Sequence, residues 1–315
     1  MNIVILDYKT LGDDLDLSGA NKFGNVIKYP TTSQDEAKQR IKDADVIIVN
    51  KVKMTEDVVK NAPNLKLICE TATGYDNIDI AYCNSRGIKV ANTPAYSSSC
   101  VAQVTISMAL SLVTHLNEYR GFVHNGGYQK SVSANMLEPI YHEVEGLTWG
   151  IIGFGNIGRR VATVAEALGC NILVNKRTPV SGFKCVDLET ILKESDIISI
   201  HCPLSDKTRG MIGKKQLAMM KKSAIIINVA RGAIWDEGAV ADAILDGTIG
   251  GMACDVFSVE PLPKEHAFNK ILDRQNVILT PHMAWGSFES RTRCFNTVLS
   301  NIEAFLDGRE QNLVK

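Results

Sequence analysis

Residues 147–158, Leu-Thr-Trp-Gly-Ile-Ile-Gly-Phe-Gly-Asn-Ile-Gly, form an apolar strand pattern that leads directly into a glycine-patterned turn. Gly153 permits a tight turn after the strand, Gly155 lets the backbone approach a phosphate closely, and Gly158 lets the next helix pack against the sheet. Residues 157–168 follow with apolar positions at helical spacing. This strand, turn and helix predict a site for a dinucleotide pyrophosphate at a helix N-terminus.

The predicted contacts of the dinucleotide lie at two places. The turn contributes Gly153, Gly155, Asn156, Ile157 and Gly158, and the end of the following strand contributes Asn175, Lys176, Arg177 and Thr178. A carboxylate at that second place would bind the ribose hydroxyls and repel a 2′-phosphate, whereas an Asn beside two cations and a hydroxyl tolerates or attracts the phosphate. The sequence therefore favours NADP(H). NAD(H) stays possible, because charged residues after a strand are also typical of a solvated turn.

Length and charge exclude several classes of protein. The 315 residues predict two domains, and 34 basic against 35 acidic residues give a formal net charge of −1. Neither half carries the dense basic stripe that binds nucleic acid or anionic lipid, so we expect neither partner. The N-terminus leads directly into a strand pattern, and no apolar run has the length of a membrane span. We expect a cytoplasmic protein.

The cysteines predict no disulfide framework and no metal site. Eight of them are scattered singly along the chain, without a C-x-x-C pair and without a histidine at metal-ligand spacing. We therefore expect reduced, mostly buried thiols.

Strand and helix patterns alternate on both sides of the glycine turn, which predicts an α/β protein with two doubly wound parallel sheets. Strands of the first sheet are expected at Ile3 to Leu6, Val26 to Tyr29, Val46 to Val49, Leu65 to Cys69 and Lys89 to Ala91, with a helix around Gln34 to Lys42. A long helix is expected from Val101 to Tyr119, followed by an irregular surface excursion from Gly121 to Glu145.

The strands predicted after the glycine turn end in polar or charged residues. These strands are Asn171 to Val174, Ile197 to His201, Ala224 to Asn228, Met252 to Asp255 and Val277 to Leu279. In an open parallel sheet the ligand binds at the carboxyl ends of the strands. The ends near His201, Arg231, Asp255 and His282 should therefore face one crevice, with groups suited to binding an anion and moving a proton.

The motifs together resemble the D-isomer-specific 2-hydroxyacid dehydrogenase family, over nearly the whole chain. They are Ala72-Thr73-Gly74-Tyr75-Asp76-Asn77-Ile78-Asp79, Ser99-Cys100-Val101-Ala102-Gln103, the glycine turn, His201-Cys202-Pro203-Leu204, Asn228-Val229-Ala230-Arg231-Gly232, Asp255-Val256-Phe257-Ser258-Val259-Glu260-Pro261 and Pro281-His282-Met283-Ala284-Trp285. The resemblance implies a flavodoxin-like substrate domain of residues 1–98 and 284–315, with a Rossmann cofactor domain of residues 99–283 inserted into it. It also implies a homodimer that uses the helix from about Val101 and the excursion after it.

The resemblance implies three catalytic residues for the reversible reduction of a 2-oxo acid. Arg231 would bind the carboxylate and polarise the 2-oxo group, as a planar guanidinium suits both tasks. His282 would be the general acid, and Glu260 would orient it. A carboxylate beside the imidazole favours the imidazolium, so reduction should persist to higher pH.

Further contacts follow from the same resemblance. Asp255 would hold the nicotinamide carboxamide, and Thr73, Cys202, Val229, Ala230, Arg231 and His282 would line the cofactor. Backbone amides around Thr73 and Gly74 would complete the substrate carboxylate site with Arg231 and His282. His201 is expected to be structural, and the other four histidines, His115, His124, His142 and His266, have no comparable context.

Substrate identity depends on loops. The Ala-Thr-Gly-Tyr-Asp-Asn and His-Met-Ala-Trp segments are similar to the glycerate dehydrogenase, or hydroxypyruvate reductase, branch, and Trp285 would cap a pocket for a short polar acid such as hydroxypyruvate or glyoxylate. Met54, Tyr75, Tyr96 and Phe288 leave open a pocket for a larger aliphatic or aromatic acid. Two other branches of the family resemble this sequence less. Phosphoglycerate dehydrogenases often carry an extra domain, and formate dehydrogenases have Gln at the position of Glu260. A cofactor-sensing protein like the dehydrogenase-related corepressors is the alternative of another class.

Overall fold

The structure, a computed structural model, describes residues 1–314. The chain divides into two compact units. Unit 1 comprises residues 1–97 and the segment from Gly286 onwards, and unit 2 comprises Ser98–Trp285. Each is built around its own parallel sheet.

Unit 1 begins with alternating strands and helices. They are β1 (Asn2–Ile5), β2 (Asn25–Lys28), α1 (Gln34–Arg40), β3 (Val46–Val49), α2 (Glu56–Val59), β4 (Leu67–Glu70), α3 (Ile80–Ser85) and β5 (Lys89–Ala91). The strand order β2-β1-β3-β4-β5 with parallel pairing throughout is the flavodoxin-like order. Every residue of β3 and β4 is buried, which explains their continuous apolar sequences.

Unit 2 contains the glycine turn. Its elements are α4 (Ser98–Val113), α5 (Leu116–His124), β6 (Thr148–Ile152), α6 (Asn156–Ala167), β7 (Asn171–Asn175), β8 (Lys184–Cys185), α7 (Leu188–Glu194), β9 (Ile197–Ile200), α8 (Lys214–Leu217), β10 (Ile225–Asn228), α9 (Glu237–Leu245), β11 (Gly251–Cys254) and β12 (Val277–Leu279). The order β12-β11-β10-β9-β6-β7-β8 is all parallel and reverses beside β6, as in the Rossmann fold. The predicted fold class is confirmed. The last helix, α10 (Phe288–Leu306), belongs to unit 1.

The predicted helix from Val101 to Tyr119 is wrong in its middle. α4 ends at Val113, and α5 starts at Leu116 after a left-handed residue, His115, with φ of 51°. The two helices are bent by 67°, and α5 continues to His124, so the excursion starts later than Gly121. Apolar spacing did not reveal the break, because the apolar residues continue on both sides of it.

No single helix in residues 1–314 combines the length and apolar composition needed to cross a bilayer, and α4 with α5 reach those values only when counted together across their bend.

A buried polar network joins the carboxyl ends of the strands in unit 1. Asp7 accepts hydrogen bonds from the backbone N–H groups of Asn50, Lys51 and Val52. Glu70 accepts one at 3.0 Å from Asn77 Nδ2, while its Oε1 has no hydrogen-bond partner among the described residues. Burial raises the pKa of the Glu70 carboxyl well above its usual value.

This burial predicts a pH dependence of stability that Glu70→Gln removes. The folded chain binds more protons at Glu70 than the unfolded chain does once the pH exceeds the ordinary carboxyl pKa, so the free energy of unfolding falls as pH rises. The fall reaches about 1.4 kcal/mol per pH unit for one group. A glutamine keeps an oxygen for Asn77 and has no proton to lose.

Urea unfolding at pH 5 and pH 8 checks this expectation. The difference in unfolding free energy between the two pH values should be smaller in Glu70→Gln than in the parent protein. Glu303→Gln, at an exposed position of α10, is the matched control and should keep the parent difference. Equal differences in all three proteins would contradict the prediction.

Candidate active site

The glycine turn after β6 has the geometry of a phosphate cradle. Gly153 has φ of 91°, and a Cβ there would lie 2.4 Å from the backbone nitrogen of Cys202. A Cβ at Gly158 would lie 2.4 Å from the Gly153 carbonyl oxygen, so α6 packs directly on the turn. A Cβ at Gly155 would meet no described atom within 4 Å. The N-terminus of α6, at Asn156 and Ile157, thus borders open space, and a helix N-terminus of this kind attracts an anion.

The end of β7 carries the residues predicted to read the ribose. Asn175 Nδ2 donates a hydrogen bond to the Val186 carbonyl at 3.0 Å, which fixes the side-chain amide. Lys176, Arg177 and Thr178 are exposed. In unit 2 this group presents one amide oxygen, two cations and a hydroxyl, with no carboxylate among the four side chains.

The end of β9 supplies a neutral histidine and a protonated thiol. His201 Nε2 lies 3.0 Å from Ser199 Oγ, which also accepts from Trp149 Nε1 at 3.0 Å. Burial lowers the pKa of His201 to about 3 and raises the pKa of Cys202 to about 11. His201 is therefore a neutral imidazole at neutral pH and cannot be the protonated acid, which agrees with a structural role.

Buried Asn228 shapes the loop that carries Arg231 at the end of β10. Its Oδ1 accepts from the Ala230 N–H at 3.0 Å, and its Nδ2 donates to the Arg231 carbonyl at 2.9 Å. Arg231 Nη1 in turn donates to the Ala230 carbonyl at 2.8 Å. These bonds hold the half-buried guanidinium close to its own backbone, at the carboxyl edge of the sheet.

Asp255, directly after β11, holds the turn that carries His282. Asp255 is 2% exposed; its Oδ1 accepts from Thr280 Oγ1 and from the Met283 N–H, and its Oδ2 accepts from the Ala284 N–H. Burial raises the pKa of Asp255, and these hydrogen bonds oppose that rise. The carboxylate thus fixes residues 280–284, in which His282 has a left-handed φ of 54°.

His282 and Glu260 form a direct pair. His282 Nδ1 lies 2.7 Å from Glu260 Oε2, and their side chains are 26% and 28% exposed. The carboxylate accepts a hydrogen bond from the Nδ1–H group, which leaves Nε2 as the nitrogen that exchanges a proton with a ligand. Arg231, Glu260 and His282 all follow neighbouring strands at one sheet edge of unit 2. This arrangement can bind an anion and transfer one proton.

The remaining predicted residues are distributed between the two units. Thr73 and Gly74 lie in unit 1 after β4, where Thr73 Oγ1 donates to the Thr93 carbonyl at 3.0 Å. Val229 is buried after β10, and Trp285 packs on the apolar core that contains α4 and α6. Of the residues considered for a larger pocket, Met54 and Tyr96 are buried, whereas Tyr75 and Phe288 are exposed.

Sequence reasoning missed one charged cluster near Glu260. His266 has no notable neighbours in sequence, and its Nε2 lies 2.9 Å from Glu237 Oε2. Glu237 Oε1 also accepts a hydrogen bond from the Ser258 N–H at 2.8 Å. The three residues are separated by up to 29 positions in the chain. The signal available in the sequence was weak, namely an acidic residue at the start of a helix and an isolated histidine.

Comparisons with known proteins agree with this geometry. The profile of the D-isomer specific 2-hydroxyacid dehydrogenase NAD binding domain matches residues 106–284. The chain is 40% identical to a glycerate dehydrogenase of Methylorubrum extorquens, over 99% of this chain and 98% of that protein. It is 35% identical to a hydroxypyruvate reductase of Blautia hydrogenotrophica, over 100% and 99%.

A solved structure of a D-lactate dehydrogenase shows the same fold. The crystal structure of D-lactate dehydrogenase from Aquifex aeolicus, complexed with NAD and lactic acid, superposes with a TM-score of 0.85 at 30% identity, covering 98% of this chain and 96% of that one. The chain therefore belongs to the D-isomer-specific 2-hydroxyacid dehydrogenase family, whose members are NAD-binding oxidoreductases that act on a CH–OH group.

Proposed function

We propose that this protein reduces a short, polar 2-oxo acid, with hydroxypyruvate and glyoxylate as the preferred substrates and NADPH as the preferred cofactor. The observation that carries the proposal is the 2.7 Å contact between His282 and Glu260 at the sheet edge that also bears Arg231. Two relatives with closely similar sequences are named glycerate dehydrogenase and hydroxypyruvate reductase, which supports the choice of substrate.

Arg231 binds the substrate carboxylate and polarises the 2-oxo group in this proposal. A guanidinium donates two parallel hydrogen bonds to a carboxylate and stays charged at any working pH. Its backbone is fixed by Asn228, so little conformational freedom is lost on binding. Thr73 and Gly74 of unit 1 stay proposed contacts of the same carboxylate, and Trp285 a proposed contact of the substrate.

His282 supplies the proton that the substrate oxygen needs. With Nδ1 directed at Glu260, the proton on Nε2 passes to the 2-oxo oxygen during reduction and returns during oxidation. Glu260 orients the imidazole through this contact and offsets the positive charge of its protonated form. A bound nicotinamide supplies the hydride.

The residues that would hold the cofactor are those predicted from the sequence. The N-terminus of α6 with Gly153, Gly155, Asn156, Ile157 and Gly158 receives the pyrophosphate. Cys202, Val229 and Ala230 follow neighbouring strands of the sheet and line the cofactor, and Asp255 stays a proposed partner of the carboxamide.

Asn175→Asp should reverse the cofactor preference. An aspartate at the end of β7 binds ribose hydroxyls and repels a 2′-phosphate. We expect kcat/KM for NADPH to fall at least about 10-fold relative to that for NADH, a difference of about 1.4 kcal/mol. Measurement of both cofactors with one substrate checks this. Asn171→Asp, at an exposed position at the start of β7, is the control, and an unchanged ratio in Asn175→Asp would contradict the prediction.

We further propose the domain roles, the assembly and the compartment. Unit 1 serves as the substrate domain and unit 2 as the cofactor domain, close to the boundaries predicted from the sequence. A homodimer is supported by the exposed apolar residues of α5 and the segment after it, Leu116, Val123, Val132, Leu137 and Ile140. Eight unpaired cysteines support a reducing compartment, the cytoplasm. Light scattering of the purified protein tests the dimer.

The test of the activity is loss of nicotinamide absorbance with hydroxypyruvate, glyoxylate, pyruvate and phenylpyruvate, each with NADPH and with NADH. Rapid oxidation of NADPH with the first two acids supports the proposal. Preference for phenylpyruvate would favour the larger pocket, and preference for NADH would overturn the choice of cofactor alone. Tight cofactor binding without turnover of any acid would favour a sensing protein.

A further inference from the structure

The carboxylate of Glu260 is fixed by the backbone of Phe257. The Phe257 N–H donates to Glu260 Oε1 at 3.1 Å, while Oε2 contacts His282 Nδ1 at 2.7 Å. Each oxygen thus has its own partner, one of them on the loop itself. The position of the Phe257 backbone therefore decides where the carboxylate stands relative to His282.

Two other elements hold the next peptide, between Phe257 and Ser258, which shares the Cα of Phe257. The N–H of Ser258 donates to Glu237 Oε1 at 2.8 Å, and Ser258 Oγ donates to Glu237 Oε2. From a second direction, a Cβ at Gly232 would lie 2.1 Å from the carbonyl carbon of Phe257 and 2.2 Å from the nitrogen of Ser258. The backbone next to Arg231 is thus in direct contact with the peptide, and Glu237 at the start of α9 binds it.

His266 fixes Glu237 in turn. Its Nε2 lies 2.9 Å from Glu237 Oε2, and its Nδ1 accepts from the Phe268 N–H at 3.1 Å. Because Nδ1 is an acceptor, the ring proton lies on Nε2 and is donated to the carboxylate. The side chains of His266 and Glu237 are only 6% and 11% exposed, and the imidazole packs edge-on against Phe257 and Phe268.

We infer that Glu237 and His266 are positioning residues that keep the Glu260 carboxylate on His282, and so set the pH range in which His282 works as an acid. The inference rests on the proposed roles of Glu260 and His282. A glutamine at position 237 keeps one oxygen for the Ser258 N–H but places an NH2 group, instead of the second oxygen, against the Nε2–H of His266. This mismatch loosens the hold on the Phe257–Ser258 peptide and with it on Glu260.

Two charged groups act on His282, Glu260 and Asp255, and only Glu260 is linked to Glu237 by the hydrogen bonds above. Glu260 is hydrogen-bonded to the ring, and Asp255 acts on it electrostatically. Asp255 is held by Thr280, Met283 and Ala284, none of which contacts Glu237 through a hydrogen bond described here. The hydrogen bonds therefore connect Glu237 to His282 through the backbone of Phe257 and Ser258 and through Glu260.

The test is the pH profile of kcat/KM for reduction of the 2-oxo acid by Glu237→Gln. Reduction requires protonated His282, so activity falls on the alkaline side. We expect the midpoint of that fall to move to lower pH, because the Glu260 carboxylate is no longer held against the imidazole. We also expect kcat to fall about 10-fold and KM to stay within about twofold, since Arg231 still binds the carboxylate. An unmoved midpoint would overturn the inference.

His266 offers a matched pair of variants. In His266→Gln the amide nitrogen replaces Nε2 as the donor to Glu237, whereas in His266→Asn the amide oxygen replaces Nδ1 as the acceptor from Phe268 and the donor is lost. We expect the glutamine variant to keep the parent profile and the asparagine variant to follow Glu237→Gln. The same profile in both variants would overturn the role of His266, and Ser258→Ala tests the link to the peptide with a smaller change.

Glu260→Gln in the same series separates the proposed role of Glu260 from the positioning role of Glu237. If Glu260→Gln leaves the midpoint unmoved, the proposed role of Glu260 fails and the inference fails with it. If Glu260→Gln moves the midpoint and Glu237→Gln does not, only the inference fails. NADPH binding, followed by fluorescence, confirms that each variant is folded.

Discussion

His282→Asn should reduce kcat/KM for the 2-oxo acid by about 10²- to 10⁴-fold, the contribution expected of a general acid. Asparagine is the informative replacement, because His282 has φ of 54° and asparagine tolerates the left-handed region better than most residues. The backbone of the turn can therefore stay as it is, held by Asp255. The fall in kcat/KM then measures the loss of the proton donor and not a displacement of the loop.

Three measurements complete this experiment. NADPH binding, followed by fluorescence, should be nearly unchanged, since the pyrophosphate site lies at the glycine turn. The alkaline fall in the pH profile should disappear from the residual activity, because the titrating acid is gone. His142→Asn, at an exposed position of the segment after α5, is the matched control and should keep the parent activity. Parent-like turnover by His282→Asn would remove His282 from the mechanism.

The predictable parts of the site are those in which local backbone geometry or strand order dictates the residue type or its place. Gly153 and Gly158 were predictable because only glycine fits where a Cβ would meet backbone at 2.4 Å. The position of Arg231, Asp255 and His282 after strand ends at one edge was predictable because β10, β11 and β12 are neighbours in a parallel sheet.

The parts that could not be predicted depend on partners without a sequence signature. Asp255 binds the backbone N–H groups of Met283 and Ala284, and every residue except proline has such a group. His266 and Glu237 meet from 29 positions apart. The break at His115 lies in a backbone angle, which the apolar spacing of α4 and α5 does not encode.

Arg231→Lys should lower kcat/KM by about 10²-fold and Arg231→Gln by about 10³-fold, the range found when a charge-stabilising donor is removed from an active site. Lysine keeps the charge but loses the planar pair of donors that matches a carboxylate, so most of its loss should appear in KM. Glutamine also removes the charge that polarises the 2-oxo group, so kcat should fall as well.

The contrast between the two Arg231 variants is what tests the proposed double role. If Arg231 only bound the carboxylate, lysine and glutamine would differ in KM and share one kcat; if it only polarised the 2-oxo group, both would keep the parent KM. The loop backbone is not expected to move, because Asn228 binds the backbone carbonyl of residue 231, which every variant keeps. Arg309→Lys, at an exposed position after α10, is the matched control. Equal kcat/KM in Arg231→Lys and the parent would show that charge alone suffices, and would exclude bidentate recognition of the acid.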